Sequence, residues 1–226
     1  MNENIFNVKR SLLIILIFFI NLTAISILSP SEELTYTSLK IINVFHILYL
    51  LIFFHLVIFK WKGTWKDLGF YTENLRHDIK CVFYFIFGFG GIILFIMAIS
   101  FIFFKINILP ELVDYNLPIK DYKYMILYFF TTIFSAVLVE ELVFRHIIYR
   151  SLRNKLNVFL SILITSFIFA SLHLVSGLNL IIPMTGGILF AILYEMTGNL
   201  IAPVIMHAAG NLALTLISVF YRINTL

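Results

Sequence analysis

The sequence predicts an all-α fold, a polytopic transmembrane helix bundle of about seven spans (six to eight). Two observations predict it. Of 226 residues, 61% are hydrophobic and only 12% charged, too little polar surface for a water-soluble domain of this length. The apolar residues also fall into separate runs, most of them long enough to cross a hydrocarbon core about 30 Å thick, and most of the charge lies between those runs.

Taken in order, apolar runs bounded by charge place spans at 11–28, 41–59, 81–104, 124–148, 158–174, 178–194 and 200–220. The first follows Lys9 and Arg10, as a signal peptide would. Its apolar stretch SLLIILIFFINLTAISIL is long for a signal sequence and no A-x-A site follows, so it reads as a retained span. The run 178–194 is short and reads as a half-span or a tilted helix. No connection is long enough to hold a second fold, so residues 1–226 form one membrane domain. Cys81 is the only cysteine, which rules out an intramolecular disulfide and a multi-cysteine metal site.

Charge between the spans sets the expected orientation. Ten Lys and Arg residues (Lys9, Arg10, Lys60, Lys62, Lys66, Arg76, Lys80, Arg150, Arg153, Lys155) lie on the side of the N-terminus, and five (Lys40, Lys105, Lys120, Lys123, Arg222) on the other. By the positive-inside rule the N-terminus and the 150–157 turn are cytoplasmic. The tryptophans of KWKGTWKDLGF, residues 60–70, suit headgroup depth with the lysines outward. A net charge of +4 spread over such loops points to the lipid bilayer as partner and to no nucleic acid.

Polar residues inside the spans are the informative ones, because an ionisable group in the bilayer is costly and usually functional. The fourth span ends in AVLVEELVFRHIIYR. Its Glu141 and Arg145 are four residues apart, on one helix face, and suit an ion pair. Glu140 is turned about 100° away from Glu141, so the two carboxylates need not share a partner. The fifth span carries Phe169 and His173, and the last carries His207 and Asn211, again at four-residue spacing. At 1.5 Å per residue, Glu140 and His173 lie about 21 and 28 Å from a turn near residue 154, and His207 about 10 Å into its helix. Those depths differ, yet they permit one site in the cytoplasmic half of the bilayer. His46 and His55, nine apart, read as hydrogen-bonded packing residues, and His146 and Arg150 as groups reaching the headgroups.

Glu140-Glu141-x-x-x-Arg145, Phe169-x-x-x-His173 and His207-x-x-x-Asn211, in that order, resemble the motif set of the CAAX-protease and bacteriocin-processing family (CPBP, also called Abi). That family includes the type II CAAX prenyl endopeptidases. The LGF at 68–70 and the run TGNLIAPVIMHAAGN at 197–211 support the resemblance. It covers 60–215, leaving the two spans of 1–59 outside, and it implies a catalytic core in the C-terminal four helices.

Peptide hydrolysis needs an activated water, a place for the oxyanion and a proton for the leaving amine. The expected assignment makes Glu140 the general base and has His173 hold the water. His207 and Asn211 donate to the oxyanion, and Glu141, Arg145 and Phe169 support the site; the resemblance implies the same roles. A metalloprotease is the alternative, with Glu140, His173 and His207 as Zn2+ ligands. The chain has no H-E-x-x-H pair, and asparagine is a poor zinc ligand, so the reading without a cofactor is favoured. The expected substrate is a membrane-associated peptide or lipidated protein, and the expected location is the cell membrane of a bacterium. Two other function classes stay open. One is a membrane protein of the same fold acting without proteolysis, in bacteriocin immunity or sensor-kinase regulation. The other is a proton-coupled transporter.

Overall fold

The computed structural model describes residues 6–29, 35–106, 117, 121–173 and 180–225. Among these there are seven apolar helices and no strand. They are α1 (Val8–Leu28), α2 (Tyr36–Lys60), α3 (Leu75–Phe104), α4 (Tyr122–Arg153), α5 (Val158–His173), α6 (Ile181–Thr197) and α7 (Ile201–Thr225). Five are long and apolar enough to span a bilayer, whereas α5 and α6 have 16 and 17 residues. The expected short run at 178–194 is therefore one of two short helices. The protein is an integral membrane protein with a helical bundle.

Capping residues set the helix starts. Asn7 accepts from the Arg10 amide ahead of α1, and Thr35 and Ser38 form a reciprocal capping box at α2. Asp121 accepts from the amides of Lys123 and Tyr124 at α4, and Asn157 accepts from the Leu160 amide at α5. Each satisfies amides that the first helical turn leaves unpaired. Gly198, at φ +63°, ends α6 in the left-handed conformation that glycine adopts at least cost.

α4 is the centre of the bundle. Val139, Leu142, Val143, Phe144 and Ile147 are buried against Ile14 and Phe18 of α1, Tyr49 and Phe53 of α2, and Phe169 of α5. A polar ladder joins α2 to α4. Asn43 donates to Thr131, Ser135 donates to Asn43 at 2.8 Å, and His46 Nδ1 lies 3.1 Å from Ser135 Oγ. His46 is thus the hydrogen-bonded packing residue expected. His55 is exposed on the outside of α2 and stacks on Phe59, because nine residues on, it faces away from the bundle.

α5 and α6 approach closely through small residues. A Cβ on Gly187 would stand 3.1 Å from Ser166 Cα, the kind of contact that lets two membrane helices pack backbone to backbone. α3 packs by its first turns against α6 and α7 through Cys81, Val82, Leu189, Leu193 and Met206, and much of its remaining length is turned outward.

Candidate active site

The site begins with the winding of α4. Thr131 and Thr132 return their hydroxyls to the carbonyls of Leu127 and Tyr128, at 2.8 and 2.9 Å. Such back-bonding competes with the i→i−4 ladder, and here residues 130–135 take the wider π winding. A second π-wound stretch, 142–149, carries Arg145, and short π segments inside α-helices are frequent at functional sites. Between them a regular turn, Ala136–Glu141, presents the two glutamates.

Glu141 is fully buried and lies between two partners, Arg145 and His207. Its Oε2 is 3.1 Å from Arg145 Nε, an ion pair by distance whose alignment falls short of a hydrogen bond. Its Oε1 accepts from His207 Nδ1 at 2.8 Å. The expected pair on α4 is present, but it is only half of what Glu141 does. Arg145, also fully buried, rests its guanidinium over the rings of Phe169 and Phe190, at 4.9 and 5.5 Å. Cation–π contact gains strength without water.

His207 lies between the two glutamates. Its Nε2 stands 3.7 Å from Glu140 Oε2, and the Glu140 side chain is 23% exposed against 6% for His207. The carboxylates thus share a partner after all, from opposite edges of one imidazole. Phe190 stacks on that ring at 4.5 Å and 19°, and Phe169 meets it edge-on at 5.8 Å. Two planes and one strong hydrogen bond fix the ring.

His173, at the last residue of α5, donates from Nδ1 to the carbonyl of Phe169 at 2.9 Å. That bond selects the tautomer whose Nε2 is an acceptor. Phe169 packs against both histidine rings, at 4.5 Å for His173 and 5.8 Å for His207, so one side chain spaces the two. Asn211, one turn beyond His207, donates from its amide to the Thr132 carbonyl at 2.7 Å. One of its two N–H groups therefore ties α7 to the π-wound part of α4.

The differing depths have a structural explanation. The segment expected to lie at headgroup depth with its lysines outward instead turns inward at Asp67–Gly69, where Leu68 is fully buried. Gly69, at φ +87°, fits against His146, whose Nδ1 would stand 2.5 Å from any Cβ there. His146 Nε2 donates to the Asp67 carbonyl at 2.7 Å, and the Leu200 amide donates to Gly69 O at 2.8 Å. α7 therefore starts level with His146, not with the end of α4. His207 is six residues up from Ile201 and Glu140 six up from His146, each about 9 Å. The same contacts correct His146, which is buried at 1% exposure and does not reach the headgroups.

Sequence reasoning missed three residues around the site. Phe190 lies in an unbroken apolar run that carries no sign of its place over His207. Tyr194 is 3.2 Å from His146 Nδ1, and Asn199 is described below; both read as ordinary helix-end residues. Among the described residues no three His, Cys, Asp or Glu side chains are grouped to hold a metal ion.

No curated protein and no solved structure matches the chain. Residues 122–213 match the family described as type II CAAX prenyl endopeptidase Rce1-like. The match takes in α4, α5, α6 and the half of α7 that carries His207 and Asn211. It holds every residue of the three polar motifs, so this helical segment is similar to the Rce1-like type II CAAX prenyl endopeptidases.

Proposed function

We propose that the chain is an intramembrane endopeptidase that hydrolyses a peptide bond of a membrane-associated, prenylated or leader-peptide substrate, with a glutamate-activated water. The observation that carries this reading is His207 held by Glu141 at Nδ1 with Glu140 at its other nitrogen. In this reading Glu140 serves as the base and His207 Nε2 as the donor beside it.

In this scheme a water lies between Glu140 and the acceptor Nε2 of His173. Glu140 takes a proton from it as the oxygen attacks the scissile carbonyl carbon. The carbonyl oxygen becomes the oxyanion and receives Nε2–H of His207 and the remaining N–H of Asn211. Glu140 returns the proton to the amide nitrogen as the C–N bond breaks, giving an amine and a carboxylic acid. Glu141, itself paired with Arg145, holds the orientation of His207, and Phe169 keeps the two histidines apart.

The test is comparative proteomics of membranes from cells carrying the wild type or Glu140→Ala. Peptides that accumulate uncut in the mutant name the substrate. Identical peptide sets would remove the proteolytic reading.

A further inference from the structure

Away from Glu140 and His207, the turn between α6 and α7 meets the start of α3 around a cavity of about 310 Å³. Tyr71, Glu73, Asn74, Asp78 and Asn199 line it. Asn199 is the knot. Its amide donates to the Tyr71 carbonyl at 2.7 Å and to Asp78 Oδ2, and its oxygen accepts from the Tyr71 and Ile201 amides. Asp78 is 1% exposed. Among the described residues its Oδ1 accepts no hydrogen bond, and Nδ1 of the largely exposed His77 is 3.6 Å away. A buried carboxylate oxygen in a polar cavity without a hydrogen-bond donor is an energetic liability unless something is meant to reach it.

The surroundings narrow what that is. Lys66 pairs with Glu73 at the rim, and this hydrogen-bonded contact keeps the Glu73 carboxyl below the usual carboxylate range. The rim pair is balanced, and Asp78 is the other acidic side chain lining the cavity. Calcium or magnesium would need six or more oxygen ligands, whereas Asn199 Oδ1 is already taken by two amides. A primary ammonium, with three N–H donors, asks for one carboxylate and a few neutral oxygens. Arg76, His77 and Lys80 stand exposed on the first turns of α3. Trp65 is 65% exposed on the connecting segment, as suits headgroup depth.

We infer that this cavity binds the headgroup of an aminophospholipid, its ammonium on Asp78. The site lies apart from the residues proposed for hydrolysis and does not rest on that reading.

Headgroup selectivity tests it. Full-length protein, purified in detergent and stripped of lipid, is offered equimolar dioleoyl phosphatidylethanolamine and dioleoyl phosphatidylcholine, and retained lipid is read by native mass spectrometry. The two lipids share chains and phosphate and differ in the N–H donors. One charged hydrogen bond predicts retention of the ethanolamine lipid about tenfold over the choline lipid. Asp78→Asn keeps an acceptor for Asn199 and should bring the ratio to about one. Equal retention by the wild type would overturn the proposal, and so would a preference that survives Asp78→Asn. A preference for phosphatidylglycerol would overturn the proposal and assign binding to the exposed basic residues of α3. Binding of an acetylated lysine amide, without selectivity among lipids, would assign the cavity to a peptide side chain instead. The wild-type headgroup series decides the matter even if the variant fails to fold.

Discussion

Glu141 and His207 meet across α4 and α7, Oε1 to Nδ1 at 2.8 Å, with both side chains buried. Because Arg145 takes the other edge of the same carboxylate, three groups on two helices depend on one charge. Glu141→Gln is expected to cost about 3–5 kcal/mol, since it leaves the guanidinium buried and unpaired. Adding Arg145→Met should recover part of that loss, although His207 still lacks its anchor. Thermal unfolding in detergent of the two single variants and the double variant measures the coupling. Strictly additive costs would show that Glu141 and Arg145 do not interact.

Glu140 should behave in the opposite way. It is partly exposed, and its approach to His207 is 3.7 Å. Glu140→Gln keeps the volume and removes only the ability to take a proton. Unfolding temperature should stay close to wild type while cleavage falls to background, read on a prenylated peptide ending in cysteine, two aliphatic residues and a variable residue. Cleavage near the wild-type rate would take Glu140 out of the base role.

The sequence carried the helices and the polar motifs well, for a physical reason. Long apolar runs and ionisable groups within them are both costly to misplace, so each leaves a clear mark in composition and spacing. The facing of Glu141 and Arg145 followed from four-residue spacing alone. The register between helices did not. It depends on Asp67–Gly69 turning inward beneath His146 and on Leu200 bonding to Gly69, and nothing local in KDLGF distinguishes a buried plug from a surface loop. Phe190 was equally silent, because an aromatic in an apolar run looks the same whether it meets lipid or His207.

Gly69 is where that hidden register can be broken. At φ +87° a side chain is strained, and a Cβ would stand 2.5 Å from His146 Nδ1. Gly69→Ala should therefore destabilise by about 2–4 kcal/mol, and should lower proteolytic activity by shifting α7 against α4. Gly90→Ala is the control, since a Cβ there meets nothing within 4 Å. Equal unfolding temperatures for the two variants would mean that the plug does not fix the register.

The orientation expected from the basic residues is open to labelling. In a Cys81→Ser background, a cysteine at Asn157 should be shielded from a membrane-impermeant thiol reagent in intact cells. One at Tyr122, which is 70% exposed at the other end of α4, should react. The reverse pattern would place the turn after α4, and with it the nearer mouth of the site, on the outer face.

The choice between a bare glutamate and a metal rests on how His207 is held. With Nδ1 committed to Glu141, only Nε2 faces Glu140. A zinc there would need Glu140 and His173 to close around it at about 2.0–2.2 Å. In the glutamate scheme purified active enzyme should carry well under one zinc per chain and keep its activity in tight chelators. His207→Asn should then retain a trace of cleavage, because an amide still donates to an oxyanion, with a loss of about 10²–10³ in rate for a weakened donor. If zinc is bound by His207, the same substitution removes a ligand, and metal and activity disappear together. Metal analysis beside activity, for wild type and His207→Asn, separates the two. One zinc per active chain, lost in the variant and required for rescue of stripped wild type, would overturn the glutamate mechanism while leaving the protease assignment in place.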